Sequence, residues 1–319
     1  MCYSARIRQE WKTFCARMGV KISLADYIEL FWERADGRKL SVPKAMEAMF
    51  ADPRTEDEAR AREAIVRYRD TRIPEIEREL FDLRRRVADA ERKLADRPTR
   101  SAEDSRRIAS NKIEQRLRWL GDLRRELPTE EQDSRIYPGW YVPVLVMENG
   151  RRVLKPMRYQ CRPAGKPAFF DARYPGTYSA RRDSLAGFWK GQFGVSHGVM
   201  VAEAFFEIVE RDGAKQVLEF RPQGLGDLLV ACLWSRWEAT PAATGAGAGT
   251  LPTEPPLLSF AAITDEPPPE IAATGHDRCV IPIKEQHLDA WLDPQGDLDA
   301  MQRILDDRER PFYEHRLAA

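Results

Sequence analysis

A heptad repeat of apolar side chains runs through residues 55 to 127, a segment otherwise dense in Arg, Glu, Asp and Ala. Its first stripe steps alternately by four and three residues: Ile76, Leu80, Leu83, Val87, Ala90 and Leu94. This spacing predicts a long amphipathic helix with a narrow apolar seam. The stretch Arg97-Pro98-Thr99-Arg100 interrupts the pattern, and a second stripe then follows: Ile113, Leu117, Leu120, Leu123 and Leu127. We therefore expect a hairpin of two antiparallel helices packed seam to seam.

Local signals mark where these two helices begin. Thr55 followed by Glu58 is a capping-box pattern, and Ser101 with Asp104 predicts that a helix restarts after the proline. The many arginines of the segment have two interpretations, an interaction surface or a solvated face paired at (i, i+4) with Glu and Asp. We favour the solvated face, because acidic residues alternate with the arginines throughout.

The sequence from about Arg135 onward has a different composition. Here Pro, Gly and aromatic residues separate short runs that are typical of β-strands. These runs are 140–147, 198–201, 204–209, 216–220, 228–234, 259–264 and 279–283. They predict a curved mixed sheet or sandwich. Helical patterns flank it at 24–33, from Ser41-Val42-Pro43 onward, at 285–292 and at 298–306, and residues 240–256 predict a mobile loop.

The chain is thus predicted to be an α+β protein in two parts. Residues 1–20 and 135–319 form the β-rich domain, and residues 21–134 form a helical insertion containing the hairpin. Basic and acidic residues balance, 51 against 51, so any affinity for nucleic acid must come from a local patch. No run approaches the length of a membrane span, and the N-terminus lacks the apolar region of a signal peptide. We therefore expect a cytoplasmic protein without a membrane partner.

The cysteines at positions 2, 15, 161, 232 and 279 are scattered and odd in number, as expected for reduced thiols. No cluster has metal-ligand spacing, and Gly224-Leu225-Gly226 lacks the third glycine of a phosphate-binding loop. We therefore predict no cofactor.

Cys2 has chemistry that the other cysteines lack. Initiator Met is normally removed before a small residue, which would leave Cys2 with a thiol and a free α-amine. The amine of such a 1,2-aminothiol condenses with an aldehyde, and the thiol then closes a five-membered thiazolidine. A ring-opened abasic deoxyribose carries such an aldehyde. The alternative is that Cys2 is an ordinary second residue.

Several segments occur together in an order that resembles the SOS-response-associated peptidase (SRAP) family. They are Cys2 near the N-terminus, Thr177-Tyr178-Ser179-Ala180-Arg181 with Phe188-Trp189, Val201 to Glu207, Phe260 to Thr264, and Thr274-Gly275-His276-Asp277-Arg278. Each segment alone is a weak signal, but the four downstream segments in family order behind Cys2 are fairly specific. The resemblance covers the extreme N-terminus and residues 135–319, and the helical hairpin matches nothing in the minimal family domain.

The resemblance implies a DNA-damage-response protein that crosslinks abasic sites in single-stranded DNA, with an associated autoproteolytic or peptidase activity. Cys2 would be the nucleophile, and Glu207 would move protons beside its α-amine. His276 would be a general acid or base that assists opening of the sugar ring. Ser179 stands where the family has an Asn, and it keeps one donor and one acceptor oxygen in place of the amide.

The resemblance also implies phosphate contacts, by Arg181 and Arg182 and by Arg6 near the N-terminus. The family begins Met-Cys-Gly-Arg, whereas Tyr3 replaces the glycine here and the nearest arginine is Arg6. While acting on DNA, such a protein would associate with the nucleoid.

Other interpretations stay open. Glu207 could be an edge or salt-bridged carboxylate, His276 a hydrogen-bonded loop residue, and the two adjacent arginines a surface ion-pair cluster with Asp183. At the level of function, the alternatives are a thiol hydrolase acting in trans through Cys2 and His276, or a non-catalytic DNA-binding scaffold. The helical insertion would then bind a protein partner or a second copy of the chain.

Overall fold

The computed structural model of the protein describes residues 4–8, 10–211, 213–239 and 254–318. The chain divides into two compact units. The first contains Met1–Tyr27, Leu40–Met49 and Thr129–Ala319, and the second contains Ile28–Lys39 and Phe50–Pro128. The strand-rich sequence therefore lies in the first unit and the heptad segment in the second.

The strands of the described chain all belong to the first unit and join one mixed sheet. In chain order they are β1 (Ser4–Ile7), β2 (Lys21–Ile22), β3 (Arg135–Ile136), β4 (Tyr141–Glu148), β5 (Arg151–Tyr159), β6 (Ser179–Arg181), β7 (His197–Arg211), β8 (Ala214–Pro222), β9 (Leu228–Trp237), β10 (Leu257–Asp265), β11 (Cys279–Val280) and β12 (Tyr313–Leu317).

Five of these strands form a closed ring of pairings. β4 pairs with β5, β5 with β10, β10 with β9, β9 with β7, and β7 pairs back with β4. Most of these pairs are antiparallel, but β10 runs parallel to both β5 and β6. A sheet whose pairings return to the starting strand has to curve. The predicted α+β class, with a curved mixed sheet and flanking helices, is confirmed.

Aromatic side chains fill the core of the first unit. Tyr159 of β5 stacks on Phe260 of β10 with ring centroids 5.2 Å apart, and Phe205 of β7 stacks on Phe220 of β8 at 5.3 Å. All four rings are at most 1% exposed. Because aromatic rings bury large areas and pack in specific geometries, these pairs hold β5, β7, β8 and β10 in one register.

Strand β7 corrects the prediction of two separate runs at 198–201 and 204–209. It continues through the polar Glu203 because its partners change there. β9 pairs with it up to Ala202, and β8 pairs with it from Phe205. The strands that were not predicted are β1, β2, β3, β5, β6 and β12. In β5, Pro156 stands opposite Pro143 of β4, and a proline within a run normally argues against a strand.

The helices are α1 (Trp11–Met18), α2 (Leu24–Ala35), α3 (Lys44–Glu47), α4 (Glu56–Asp96), α5 (Arg100–Arg124), α6 (Phe170–Arg173), α7 (Pro269–Ala272), α8 (Leu288–Leu292) and α9 (Leu298–Asp306). Helices α2, α3 and α9 confirm the predicted positions, and α8 is preceded by a 3-10 turn over Glu285–His287. The loop predicted at 240–256 falls mostly on 240–253, outside the described residues. No helix in the described ranges is long and apolar enough to cross a membrane.

The second unit contains the predicted helical hairpin, built from α4 and α5. Thr55 caps α4 by accepting a hydrogen bond from the Glu58 N–H at 3.2 Å. The cap of α5 is Thr99, which accepts from Ala102, rather than the predicted Ser101. Several of the arginines make ion pairs with acidic residues, either three residues apart in their own helix, in place of the predicted four, or on the facing helix. An example is the contact between Arg124 and Glu77 at 2.7 Å.

The hairpin seam provides a stability prediction. Leu80 is 4% exposed and packs with Ile76 and Leu120 in one apolar cluster. We expect Leu80→Ala to lower the free energy of unfolding by about 2–4 kcal/mol, because the truncation leaves a cavity in the seam. Phe81→Ala is the matched control, since the next ring is 66% exposed and its loss should cost no more than about 0.5 kcal/mol. If urea unfolding showed equal losses of unfolding free energy for the two variants, the buried position of Leu80 in the hairpin seam would be contradicted.

Candidate active site

Glu207 and His276 form a buried pair in the first unit. Glu207 lies on β7, and His276 lies in the loop between α7 and β11. The Oε2 atom of Glu207 is 3.0 Å from the Nε2 atom of His276, and the two side chains are 1% and 9% exposed. The structure therefore brings together two residues that the sequence predicted for one site, although they are far apart in the chain.

The backbone beside His276 orients its ring. The Nδ1 atom lies 2.9 Å from the carbonyl oxygen of Arg278 and 3.3 Å from the Arg278 N–H. The shorter contact favours the tautomer in which Nδ1–H donates to the carbonyl, an assignment made from the contacts. The Nε2 atom then faces the carboxyl of Glu207. The carboxyl and the ring therefore lie within hydrogen-bonding distance of each other.

Ser179 lies in β6, at the point where this short strand pairs with β10. Strand β6 runs parallel to β10, with Ser179 in register with Ala262. The Ser179 hydroxyl lies 2.9 Å from the Thr264 hydroxyl, and the serine is 8% exposed. Sequence reasoning did not assign a role to Thr264, although it ends the quoted Phe260–Thr264 segment. A polar side chain ending an apolar strand is the signal that would have found it.

The N-terminal strand runs beside the strand that carries Glu207. Strand β1 pairs antiparallel with β7, and Ser4 is in register with Phe206. Cys2 itself is outside the described residues. The described start of β1 therefore lies beside the part of β7 that carries Glu207.

A buried ion network holds β1 in this position. Arg6 is 4% exposed, and its guanidinium donates to Glu219 at 2.6 Å and to Glu131 at 2.8 Å. Arg316 and Arg221 also donate to the Glu219 carboxylate. Sequence reasoning missed this network, because Arg6 is 213 residues from Glu219 and 125 residues from Glu131 and becomes their neighbour only in the folded chain.

The network predicts a pH-dependent stability. Burial would raise the pKa of Glu219, but hydrogen bonds from Arg316 and Arg221 hold the pKa below its ordinary value of 4.5. A lowered pKa adds stability above the ordinary value, and that stability is lost as the pH falls through the lowered pKa. We expect Glu219→Gln to lower the free energy of unfolding, measured in urea at pH 7, by about 1–3 kcal/mol. The difference in unfolding free energy between this variant and wild type should become smaller below pH about 4.5.

A matched control is Glu238→Gln, which removes the carboxylate of an exposed pair with Arg236. Its cost should stay below about 1 kcal/mol, because exposed ion pairs contribute little. A gap between Glu219→Gln and wild type that persists unchanged into acid would contradict the stabilising role of the ionised network.

Arg181 and Arg182 have different surroundings. The side chain of Arg181 is 50% exposed and pairs with Asp183 at 2.6 Å. Hydrogen bonds to Asp183 raise the pKa of Arg181, with a smaller contribution from Asp277 beside His276. Arg182 is 20% exposed and pairs with Asp265 at 3.2 Å and Asp306 at 2.6 Å. Arg181 is therefore the more accessible of the two cations.

The remaining cysteines are unsuited to nucleophilic chemistry. All four are buried. Burial raises the pKa of Cys15 to about 11 and that of Cys161 to about 12, and it also raises the pKa of Cys232 and Cys279. The thiolate is the reactive form of cysteine, so these side chains stay protonated and inert near neutral pH.

The fold and the site together define an α+β protein with a curved mixed sheet and a buried carboxyl–imidazole pair. The family model described as SOS response associated peptidase (SRAP) matches residues 103–317. The chain belongs to this family, and membership associates it with the response to DNA damage.

Solved structures with similar folds include a protein from Bacteroides thetaiotaomicron, 11% identical, with a TM-score of 0.47, covering 58% of this chain and 78% of that chain. A protein from Bordetella bronchiseptica is 16% identical, with a TM-score of 0.45, covering 58% and 87%. A phage-related protein from the same organism is 16% identical, with a TM-score of 0.42, covering 60% and 84%. No curated protein matches the chain.

Proposed function

We propose that the protein crosslinks abasic sites in single-stranded DNA through Cys2, after removal of Met1. The α-amine adds to the C1′ aldehyde of the ring-opened deoxyribose, and one water leaves to give an imine. The thiol then adds to the imine carbon while its proton passes to nitrogen, which closes a thiazolidine. The products are the crosslink and one water, and no oxidant or reductant is consumed.

The buried Glu207–His276 pair is the observation that carries this proposal. Imine formation requires a proton to leave the α-ammonium of Cys2 and a proton to reach the departing hydroxyl. A carboxyl and an imidazole that lie 3.0 Å apart and are largely shielded from water are suited to take up the first proton and to deliver the second. The register of Ser4 with Phe206 supports placing this work at the N-terminus.

The buried state of the other four cysteines supports Cys2 as the thiol. Each would have to be exposed and ionised before it reached an aldehyde on DNA, and burial opposes both changes. Cys2 lies two positions before Ser4 in the sequence, where the described part of β1 begins. The same N-terminal thiol would serve the associated autoproteolytic or peptidase activity.

For the phosphate contact we propose Arg181. Its partner Asp183 is also exposed, so a DNA phosphate replaces a weak solvated pair. The contacts predicted for Arg182 and Arg6 stay predictions. A phosphate on Arg182 would compete with Asp265 and Asp306, and one on Arg6 would compete with two carboxylates in a buried network.

The test is denaturing electrophoresis of the purified protein with single-stranded DNA carrying one abasic site. Intact mass is recorded to show whether Met1 is absent. A heat-stable shifted band is expected with the natural abasic site. No band is expected with a tetrahydrofuran analogue, which has no aldehyde. No band with either DNA, despite a trimmed N-terminus, would overturn the proposal.

The same experiment separates the alternatives. A thiol hydrolase acting in trans would turn over a peptide substrate without DNA and would lose this activity when Cys2 is replaced. A non-catalytic scaffold would bind both DNA substrates equally and would give no covalent product.

A further inference from the structure

Exposed aromatic rings flank strand β6 on both sides in the chain. Phe169 and Tyr174 precede the strand and are 62% and 45% exposed, and Phe188 follows it and is 51% exposed. Large exposed rings gathered around one buried ring form a patch of the kind that marks a binding surface.

The rings are held in place by packing. Phe170 is 5% exposed, and its ring centroid lies 4.6 Å from that of Tyr174 and 6.5 Å from that of Phe188. The buried Trp189 supports Phe188 from below in an edge contact at 5.0 Å. Tyr174 and Phe188 therefore present outer ring faces without having to be ordered first, which reduces the entropic cost of binding.

Cations accompany the rings. The Lys166 ammonium lies 5.9 Å from the Phe170 ring centroid, and the Arg173 guanidinium lies 5.6 Å from that of Tyr174. Lys190, next to Trp189, is exposed. None of the three makes an ion pair with a carboxylate in the part of the chain that the structure describes. We call Lys166, Phe169, Phe170, Arg173, Tyr174 and Phe188 the aromatic–basic patch.

The nearby acidic residues do not neutralise this charge. Asp171 is engaged by Arg162 at 2.5 Å and by Arg158 at 2.8 Å. Asp183 is engaged by Arg181. The chain as a whole is neutral, so the surplus of positive charge at the patch is a local feature, and it favours a polyanionic partner.

Strand β6 connects the patch to the proposed site. Tyr174 lies five residues before Ser179, and the Tyr174 carbonyl accepts a hydrogen bond from the Thr177 N–H. At the other end of β6, Arg181 interacts electrostatically with Asp277 in the loop that carries His276. The patch and the Glu207–His276 pair are thus connected through one short strand.

We propose that the aromatic–basic patch binds the bases of single-stranded DNA next to the abasic site, with Tyr174 and Phe188 stacking on them. This inference rests on the proposed function and names the part of the DNA that its site recognises. Unpaired bases present the faces that exposed aromatic rings stack on, whereas duplex DNA hides them. The flanking cations interact with the phosphates between those bases.

The first test measures binding separately from crosslinking. A fluorescent single-stranded oligonucleotide of about 12 nucleotides, with no abasic site, is titrated with the full chain and followed by anisotropy. Tyr174→Ala and Phe188→Ala should each raise Kd by about 5- to 100-fold. Tyr174→Phe, which keeps the ring, should stay within about twofold of wild type.

The second test removes the bases in place of the rings. In a matched oligonucleotide, tetrahydrofuran residues replace a run of bases, so the phosphates stay and the stacking faces are lost. The Kd of the wild-type protein for this DNA should be about equal to the Kd of the double variant, Tyr174→Ala with Phe188→Ala, for the normal oligonucleotide. The double variant should bind the tetrahydrofuran oligonucleotide only slightly more weakly than wild type does, because removing the rings and removing the bases abolish the same stacking interaction.

Phe312→Ala is the control variant, since Phe312 is 56% exposed but lies outside the patch. Its Kd should equal that of wild type, and thermal unfolding should show that all variants are folded. The proposal would be overturned if the double variant Tyr174→Ala with Phe188→Ala bound the normal oligonucleotide with the wild-type Kd. It would also be overturned if the losses of binding free energy from removing the rings and from removing the bases were fully additive. Its failure is distinguishable from failure of the proposed function, because crosslinking by wild type is read on the denaturing gel without reference to the patch.

Discussion

Replacing Cys2 by Ala should abolish the heat-stable crosslink to abasic single-stranded DNA. We expect the rate to fall by about 1,000-fold or more, because the thiol that closes the ring is itself removed. The α-amine of residue 2 is still present in this variant, so a reversible imine still forms. Denaturing electrophoresis after heating, with time points, measures the loss.

Cys2→Ser distinguishes the two nucleophilic groups. Serine keeps the α-amine but provides a weaker nucleophile, so the heat-stable band should be lost while borohydride reduction traps the imine as a stable amine. Cys15→Ala is the matched control, because it removes a buried thiol whose pKa is raised to about 11. A heat-stable band that survives in Cys2→Ala, or that disappears in Cys15→Ala with the fold intact, would contradict the assignment.

The second large effect is expected at the buried Glu207–His276 pair, for which we propose proton transfer. Glu207→Gln and His276→Gln should each lower the crosslinking rate by about 100- to 10,000-fold at saturating DNA, because each removes a group that takes up or releases protons. The double variant should be little slower than the slower single variant, since the two residues act as a unit. Rates from quenched time courses check this.

The chain offers a matched control for this pair on its surface. The Nε2 atom of His287 lies 2.8 Å from the carboxylate of Asp307, and both side chains are partly exposed. The contact is similar to that between Glu207 and His276, but it lies outside the site. His287→Gln and Asp307→Asn should crosslink at the wild-type rate. If they slow the reaction as much as the buried variants do, the effect is one of folding and not of proton transfer.

The helical hairpin shows how much a local pattern determines. The seam through Ile76, Leu80 and Leu120 could be predicted because helix periodicity is a property of neighbouring residues. The cap of α5 was assigned two residues too late, at Ser101 in place of Thr99, because both side chains are competent caps and only the backbone geometry selects one.

The sheet shows where local patterns fail. Apolar runs predicted β4, β9 and β10, whose side chains are mostly buried. β1 and β5 were missed, because Arg6, Pro156 and the arginines of β5 do not resemble a buried strand. Arg6 is tolerated there by Glu219 and Glu131, which approach it only after β8 and the segment before β3 have folded beside it.

By itself, the sequence determined the class of fold, the helical hairpin, the family resemblance and the residues proposed for the site. Those features depend on side-chain identity and on spacing along the chain. Only the tertiary structure decided that Glu207 and His276 lie 3.0 Å apart, that Ser179 bonds to Thr264, and that Arg6 is buried while Arg181 is exposed. Pairing between distant strands sets these contacts, and the strand register that selects them is not encoded in any single segment.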